Sequence, residues 1–226
     1  NFDRCHDRLH GEHVTLAMDS EPGEVRSFLT DVLEEEPEVT EYYMDDALCM
    51  VGNFAYNGGE VNTEFVILEK DAALERPIGR VEIVEEGDGE TGVYLPMLYK
   101  TGDIAVGRLI ELKIGSNTVN YPVSGFFNSV MAGSHNCGMC ELLLTRDLYE
   151  ELEERGYAPE ATLLSVRLAQ GGSSAEFEAD LKSKVSEGFP YSRVISNSYA
   201  MVSTSRYISQ MICSGILSAM AFFILL

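Results

Sequence analysis

The sequence predicts an α+β fold, with an α/β module at each end of the chain, a β-rich module between them, and a C-terminal helix leading into a membrane. Three observations predict it. A strand–helix–strand pattern fills residues 12–54 and has a weaker echo over 161–196. Short strands divided by Gly and Asn turns occupy the middle of the chain. From Tyr207 to Leu226 there is no charged residue.

The elements follow in order. His13–Met18 reads as a strand, and Ser20 with Pro22 reads as a cap and first turn for the helix after it. Val25, Phe28, Leu29, Val32 and Leu33 fall at i, i+3, i+4, i+7 and i+8, which places them on one helical face; Pro37 ends the run. Strand-like pieces follow at Val39–Tyr43, Ala47–Phe54 and Glu64–Leu68, the last two separated by Asn57-Gly-Gly59. In the middle, Val81–Val84 and Val93–Leu95 flank an acidic Gly turn. Leu109–Ile114 turns at Gly115-Ser-Asn117 into Thr118–Val123, where Pro122 suits an edge position. A helix after Thr145 carries Leu148, Tyr149 and Leu152 and closes at Gly156. Ala161–Leu168 is a strand, Ser173 and Glu176 form a candidate capping box, and Phe177, Leu181 and Val185 stripe the next helix. Gly188-Phe-Pro190 ends that helix, and Arg193–Ile195 is a short strand.

A chain of 226 residues accommodates one large or two small domains. Its 16 basic and 37 acidic residues give a net charge of −21, which repels phosphate and excludes a nucleic-acid-binding role. The acids cluster around Glu34–Glu41, Glu82–Glu90 and Glu150–Glu154, as solvated faces do. Glu85-Glu86-Gly87-Asp88-Gly89-Glu90 lacks the ligand spacing of a calcium loop.

Candidate chemistry is sparse. Five cysteines at scattered positions do not form a disulfide framework. Cys137 and Cys140 are close-set beside His135, and three readings stay open: free thiols, a labile disulfide, or a metal site needing a distant fourth ligand such as Cys49. His6, His10 and His13 could meet on one helical face, or belong to a polar segment beside a membrane. Gly171-Gly-Ser-Ser lacks the G-x-S-x-G pattern and reads as a helix start, and no carboxylate pair stands out, so no catalytic residue and no cofactor is assigned. Phe126, Phe127, Val130 and Met131 cluster before a Gly-Ser-His turn. They read as a core edge, with an exposed tip for a partner or substrate as the alternative.

The two ends differ. Residues 1–13 are polar and lack the apolar core and cleavage site of a signal peptide. The uncharged C-terminal run of 20 residues, with Ile216, Leu217, Phe222, Phe223 and Leu225 at its oily end, would span roughly 30 Å as a helix, the width of a bilayer's hydrocarbon core. It stops mid-run with no cap or basic flank, as expected of a chain cut inside a transmembrane helix; a buried C-terminal helix is the alternative. Small residues such as Ser209, Ser214, Gly215, Ser218 and Ala219 suit close helix packing in lipid.

Several segments, taken in order, carry a family resemblance. They are Val93-Tyr-Leu-Pro96; Lys100-Thr-Gly-Asp-Ile104 followed by Leu109-Ile-Glu-Leu112; Val123-Ser-Gly-Phe126; and Leu142-Leu-Leu-Thr145 before a helix. With the terminal apolar helix, this order resembles the extracytoplasmic domain of MacB/FtsX-type ABC-transporter permeases over nearly the whole chain. The resemblance implies two lobes. A porter-like α/β lobe would comprise 1–92 and 158–200, with an inserted β-rich lobe at 93–157 and a stalk entering the membrane at 201–226. It implies a cell-membrane protein whose domain faces the extracytoplasmic side. It implies as partners a cytoplasmic ATP-binding subunit, a second permease subunit or half, membrane lipid, and a transported substrate or outside partner. ATP chemistry would belong to the partner, since this chain has no G-x-x-x-x-G-K-S/T loop, and the chain is expected not to be an enzyme. The alternative expectations are a sensing or regulatory ectodomain that binds a peptide or cell-wall enzyme without transport and, more remotely, an anchored hydrolase.

Overall fold

Ten strands form one sheet in the computed structural model, which describes residues 2–89, 91–129, 139–205, 207–209 and 211–213. The chain begins α1 (Phe2–Arg8), β1 (Val14–Asp19), α2 (Pro22–Glu34), β2 (Val39–Tyr56), β3 (Gly59–Glu69), α3 (Lys70–Leu74) and β4 (Glu82–Glu86). It continues with β5 (Val93–Pro96), a 3-10 turn (Met97–Tyr99), β6 (Leu109–Ile114), β7 (Asn117–Asn128) and β8 (Met139–Leu144). Then come α4 (Arg146–Glu154), β9 (Ala161–Leu168), α5 (Ser174–Gly188) and β10 (Arg193–Ser198). A further helix starts at residue 199 and its described residues reach 213.

The first half of the sheet has the order β10-β1-β9-β2, every neighbour antiparallel. Helix α2 connects β1 to β2 and α5 connects β9 to β10, and each connection steps over one strand. Two split strand–helix–strand units therefore interleave, which explains the echo between residues 12–54 and 161–196. Period-2 alternation sends Val14, Leu16 and Met18 of β1 and Leu164, Val166 and Leu168 of β9 to one face. Val25, Leu29 and Leu33 of α2 and Phe177, Leu181 and Val185 of α5 cover that face. Each such side chain, fully buried, contributes about 1.5–3 kcal/mol.

The opposite face of this half meets the rest of the sheet. Ala17, Leu163 and Ile195 pack with Val66, Leu68, Tyr94, Phe127 and Leu143. A third core, behind β3, β5, β6, β7 and β8, holds Phe54, Phe65, Tyr99, Phe126 and Leu142 and is closed by Leu148 and Leu152 of α4. The halves are joined by β2 itself. Its residues 39–47 pair with β9 and its residues 48–56 with β3, while Gly52–Phe54 also pair with β6.

Several expectations change. The pieces expected at 39–43 and 47–54 are one strand of 18 residues. The polar stretch Asp45-Asp46 does not break it because Asp45 is buried against Arg76, while Asp46 faces solvent, where Arg26 reaches it. The strands over 48–69 and 82–86, expected in the first lobe, pair with β6, β7 and β8. Ser20 does not cap α2. The N-cap is Glu21, and the Ser20 hydroxyl accepts a hydrogen bond from Ser192. Pro122 lies within β7 at the end of its pairing with β6, one residue before β5 takes up the strand. Helix α1 ends at Arg8, so His6, His10 and His13 do not share a helical face. Ser173 caps α5, its hydroxyl accepting from the Glu176 N–H, and Gly156 closes α4 at φ 90°.

Gly52 sits where β2 is sandwiched between β3 and β6. A Cβ there would lie 2.0 Å from the Lys113 carbonyl oxygen and 2.6 Å from the Phe65 ring. Gly52→Ala is expected to cost about 1–3 kcal/mol by urea unfolding, because backbone rather than a flexible side chain must move. An unchanged midpoint would show that β6 does not approach β2 so closely.

Candidate functional site

Two groups of polar residues stand out, one at the junction of the halves and one where α1 meets the C-terminal helix. At the junction Arg76, just after α3, is 4% exposed. Its Nε donates to Asp45 Oδ2 on β2 at 2.7 Å and its Nη1 to Glu141 Oε1 on β8 at 2.7 Å. The carboxylates, sitting in low dielectric, hold the guanidinium above its ordinary pKa despite burial. Burial raises the Asp45 carboxyl, with Arg76 opposing the shift. A second bridge crosses the same junction: Arg193 of β10 donates through both terminal nitrogens to Glu64 of β3. Beside it, burial pushes the Cys49 thiol up to about 12, so Cys49 is not a nucleophile at neutral pH.

The second group is aromatic. The His6 ring stacks on His13 at 5.6 Å between centroids and lies 4.5 Å from the Tyr199 ring. The His13 carbonyl accepts from the Tyr199 N–H, the first residue of the C-terminal helix, and the His13 N–H donates to the Val166 carbonyl on β9. The His6 ring fits because residue 11 is glycine: a Cβ at Gly11 would sit 2.4 Å from it. His6 Nε2 donates to the Glu12 carbonyl at 2.8 Å, and the Arg167 guanidinium donates to the Gly11 carbonyl. Gly79 and Arg80 N–H groups reach the His10 and Leu9 carbonyls. Thus α1, β9 and the root of the C-terminal helix are fastened at one place.

From that root the helix leaves the body. Val202 is buried and the Ala200 N–H donates to the Ser174 hydroxyl, but Met201, Tyr207, Ile208, Met211 and Ile212 are each more than half exposed. An apolar groove of ≈ 560 Å³ runs between Ala175 at the start of α5 and the helix residues Ala200, Met201, Thr204 and Ile208. Exposed apolar side chains in series on one helix mark a surface that is covered by something.

The residues singled out in the sequence fall as follows. Phe126 and Phe127 are both 0% exposed, so they form no exposed tip. Consecutive residues on a strand face opposite ways, and both faces of β7 are covered here, by the third core and by the junction core. Val130, Met131, His135 and Cys137 lie outside the described residues. Cys140 is a free, fully buried thiol on β8, and burial drives its pKa up. Ile216, Leu217, Phe222, Phe223 and Leu225 also lie outside the described residues, among which no helix is long and apolar enough to cross a membrane. Among those residues, no cluster of His, Cys, Asp and Glu is arranged to hold a metal ion. Sequence reading missed Arg76 and the clasp around His13. One signal was present: Glu141 is a lone acid inside the apolar run Met139–Leu144, and a buried charge requires a partner.

Replacing Arg76 with Met leaves Asp45 and Glu141 facing each other in the interior. Urea denaturation at pH 7 is expected to show a loss of about 3–5 kcal/mol. A loss below about 1 kcal/mol would mean that water reaches the pair and that the junction is open.

No family model matches the chain, and no curated protein matches it. Among solved structures it is similar to a domain of a protein classed as a permease from Porphyromonas gingivalis, at 12% identity and a TM-score of 0.35, covering 83% of this chain and 89% of that one. It is similar to the periplasmic region of MacB from Actinobacillus actinomycetemcomitans, at 9% identity and a TM-score of 0.36, covering 88% and 95%. It is also similar to the extracellular domain of the noncanonic ABC-type transporter YknZ from Gram-positive bacteria, at 9% identity and a TM-score of 0.33, covering 80% and 99%.

Proposed function

We propose that the chain is the extracytoplasmic domain of an ABC-transporter permease subunit, coupling ATP hydrolysis in the cytoplasm to export or to mechanical signalling outside. One observation carries this reading. The N-terminal helix and the root of a helix with exposed apolar side chains are fastened together at a single point, with Tyr199 4.5 Å from His6. A domain moved by membrane helices needs such a point, because a pull must enter a rigid body rather than a loose linker. Here the pull enters at Tyr199, passes through the His13 backbone to β1 and β9, and continues along β2 into the far half. The resemblance in motif order supports the same class. The partners that follow are a cytoplasmic ATP-binding subunit, a second permease subunit and membrane lipid. On this reading the chain itself performs no catalysis.

The test uses the full-length protein in membranes of cells that make it. It is expected to be extracted only by detergent, to co-purify with an ATP-binding subunit and to support ATP hydrolysis. Ile208→Asp combined with Ile212→Asp is expected to lower its recovery in the membrane fraction at least tenfold. Recovery of the unaltered protein from the soluble fraction, with no associated ATPase, would contradict the proposal.

A further inference from the structure

We propose that the clasp is an acid-sensitive latch, in which protonation of the His13 imidazole frees α1 and the root of the C-terminal helix from the body. The geometry is specific. His13 Nδ1 accepts a hydrogen bond from the Leu168 N–H at 2.8 Å. Strand β1 begins only at Val14, so the His13 side chain takes up an amide at the end of β9 that the strand ladder does not reach. An imidazolium has no lone pair on either nitrogen. Once protonated, His13 would point an N–H at the Leu168 N–H, and the two donors must part.

The surroundings make the charge costlier. Facing His13 are Arg167 from β9, His6 from α1, His10 from the segment after α1 and the Tyr199 ring from the C-terminal helix. The nearby carboxylates are aligned elsewhere: Asp7 lies 3.9 Å from His6 Nδ1, Glu41 lies 2.8 Å from His10 Nε2, and Glu12 lies against Gly79 within reach of Arg76. Desolvation first, then Arg167 and the two histidines, lower the His13 pKa from 6.5 to about 4. A histidine whose pKa is depressed by folding stabilises the closed form fully above its unfolded value. That contribution is lost as pH falls from about 6.5 towards 4. The same protonation puts positive charge beside the Arg167 guanidinium that holds the Gly11 carbonyl, so the segment tying α1 to β1 loses two attachments together.

Amide hydrogen exchange on the full chain, corrected for the intrinsic pH dependence of exchange, reads the latch locally. Between pH 7 and pH 4.5 the protection of the Leu9, Gly11, Leu168 and Tyr199 amides is expected to fall about tenfold, while β6 and β7 amides keep theirs. His13→Gln supplies an acceptor oxygen without a titrating group and is expected to flatten that dependence. Equal loss in the variant, or constant protection in the unaltered chain, would overturn the latch. If the variant does not fold, the imidazole proton shifts of His13 in the unaltered chain decide instead. A midpoint well below 6 supports the latch, and one at 6.5 or above overturns it.

Discussion

The architecture depends on carrying a charged stretch of strand through a protein interior. Strand β2 reaches from the helix-covered half of the sheet to the far half, and its middle contains the buried Asp45 beside the exposed Asp46. A bare carboxylate at that depth would cost several kcal/mol. Arg76 removes the difficulty by lying between Asp45 and Glu141, and Arg26 of α2 reaches Asp46 and the Met44 carbonyl. With those arginines in place β2 stays extended, and the two halves share one backbone ladder as well as one core.

That continuity gives the clasp its meaning. The root of the C-terminal helix touches β1 through His13, β1 lies beside β9, and β9 lies beside β2. Three hydrogen-bonded steps therefore connect an exposed apolar helix with the half of the molecule farthest along the sheet. Hydrogen-bonded strands resist shear better than a flexible linker does, so under the proposed function displacement of the helix would become displacement of the body. The acidic exterior, at net −21, has no part in this path.

Much of this was legible in the sequence, for definite reasons. Helices α2, α4 and α5 each carry an apolar stripe at helical spacing and a clear stop, and β1, β6 and β9 alternate or run apolar between turns. The interleaving of the two end modules was visible as a repeated strand–helix–strand pattern. The extent of β2 was not, because Met44-Asp45-Asp46 looks like a break until its arginines, on α2 and after α3, are brought alongside by the fold. The pairing of β2 and β3 with the later strands was not legible either, since strand partners are a property of topology and not of local pattern. Phe126 and Phe127 were ambiguous because two adjacent aromatics fit either an exposed tip or a strand covered on both faces. The clasp was legible only in part: the histidines lie close together in the sequence, but Tyr199 is separated from them by most of the chain.

The central claim is that the N-terminal helix and the apolar C-terminal helix are held at one spot on a continuous sheet. Nuclear Overhauser contacts between the ring protons of His6 and Tyr199, recorded on the full chain at pH 7, test it most directly. Centroids 4.5 Å apart predict strong cross-peaks, joined by weaker ones from His13. Their absence, with the Tyr199 ring giving contacts only to solvent or to its own helix, would contradict the account.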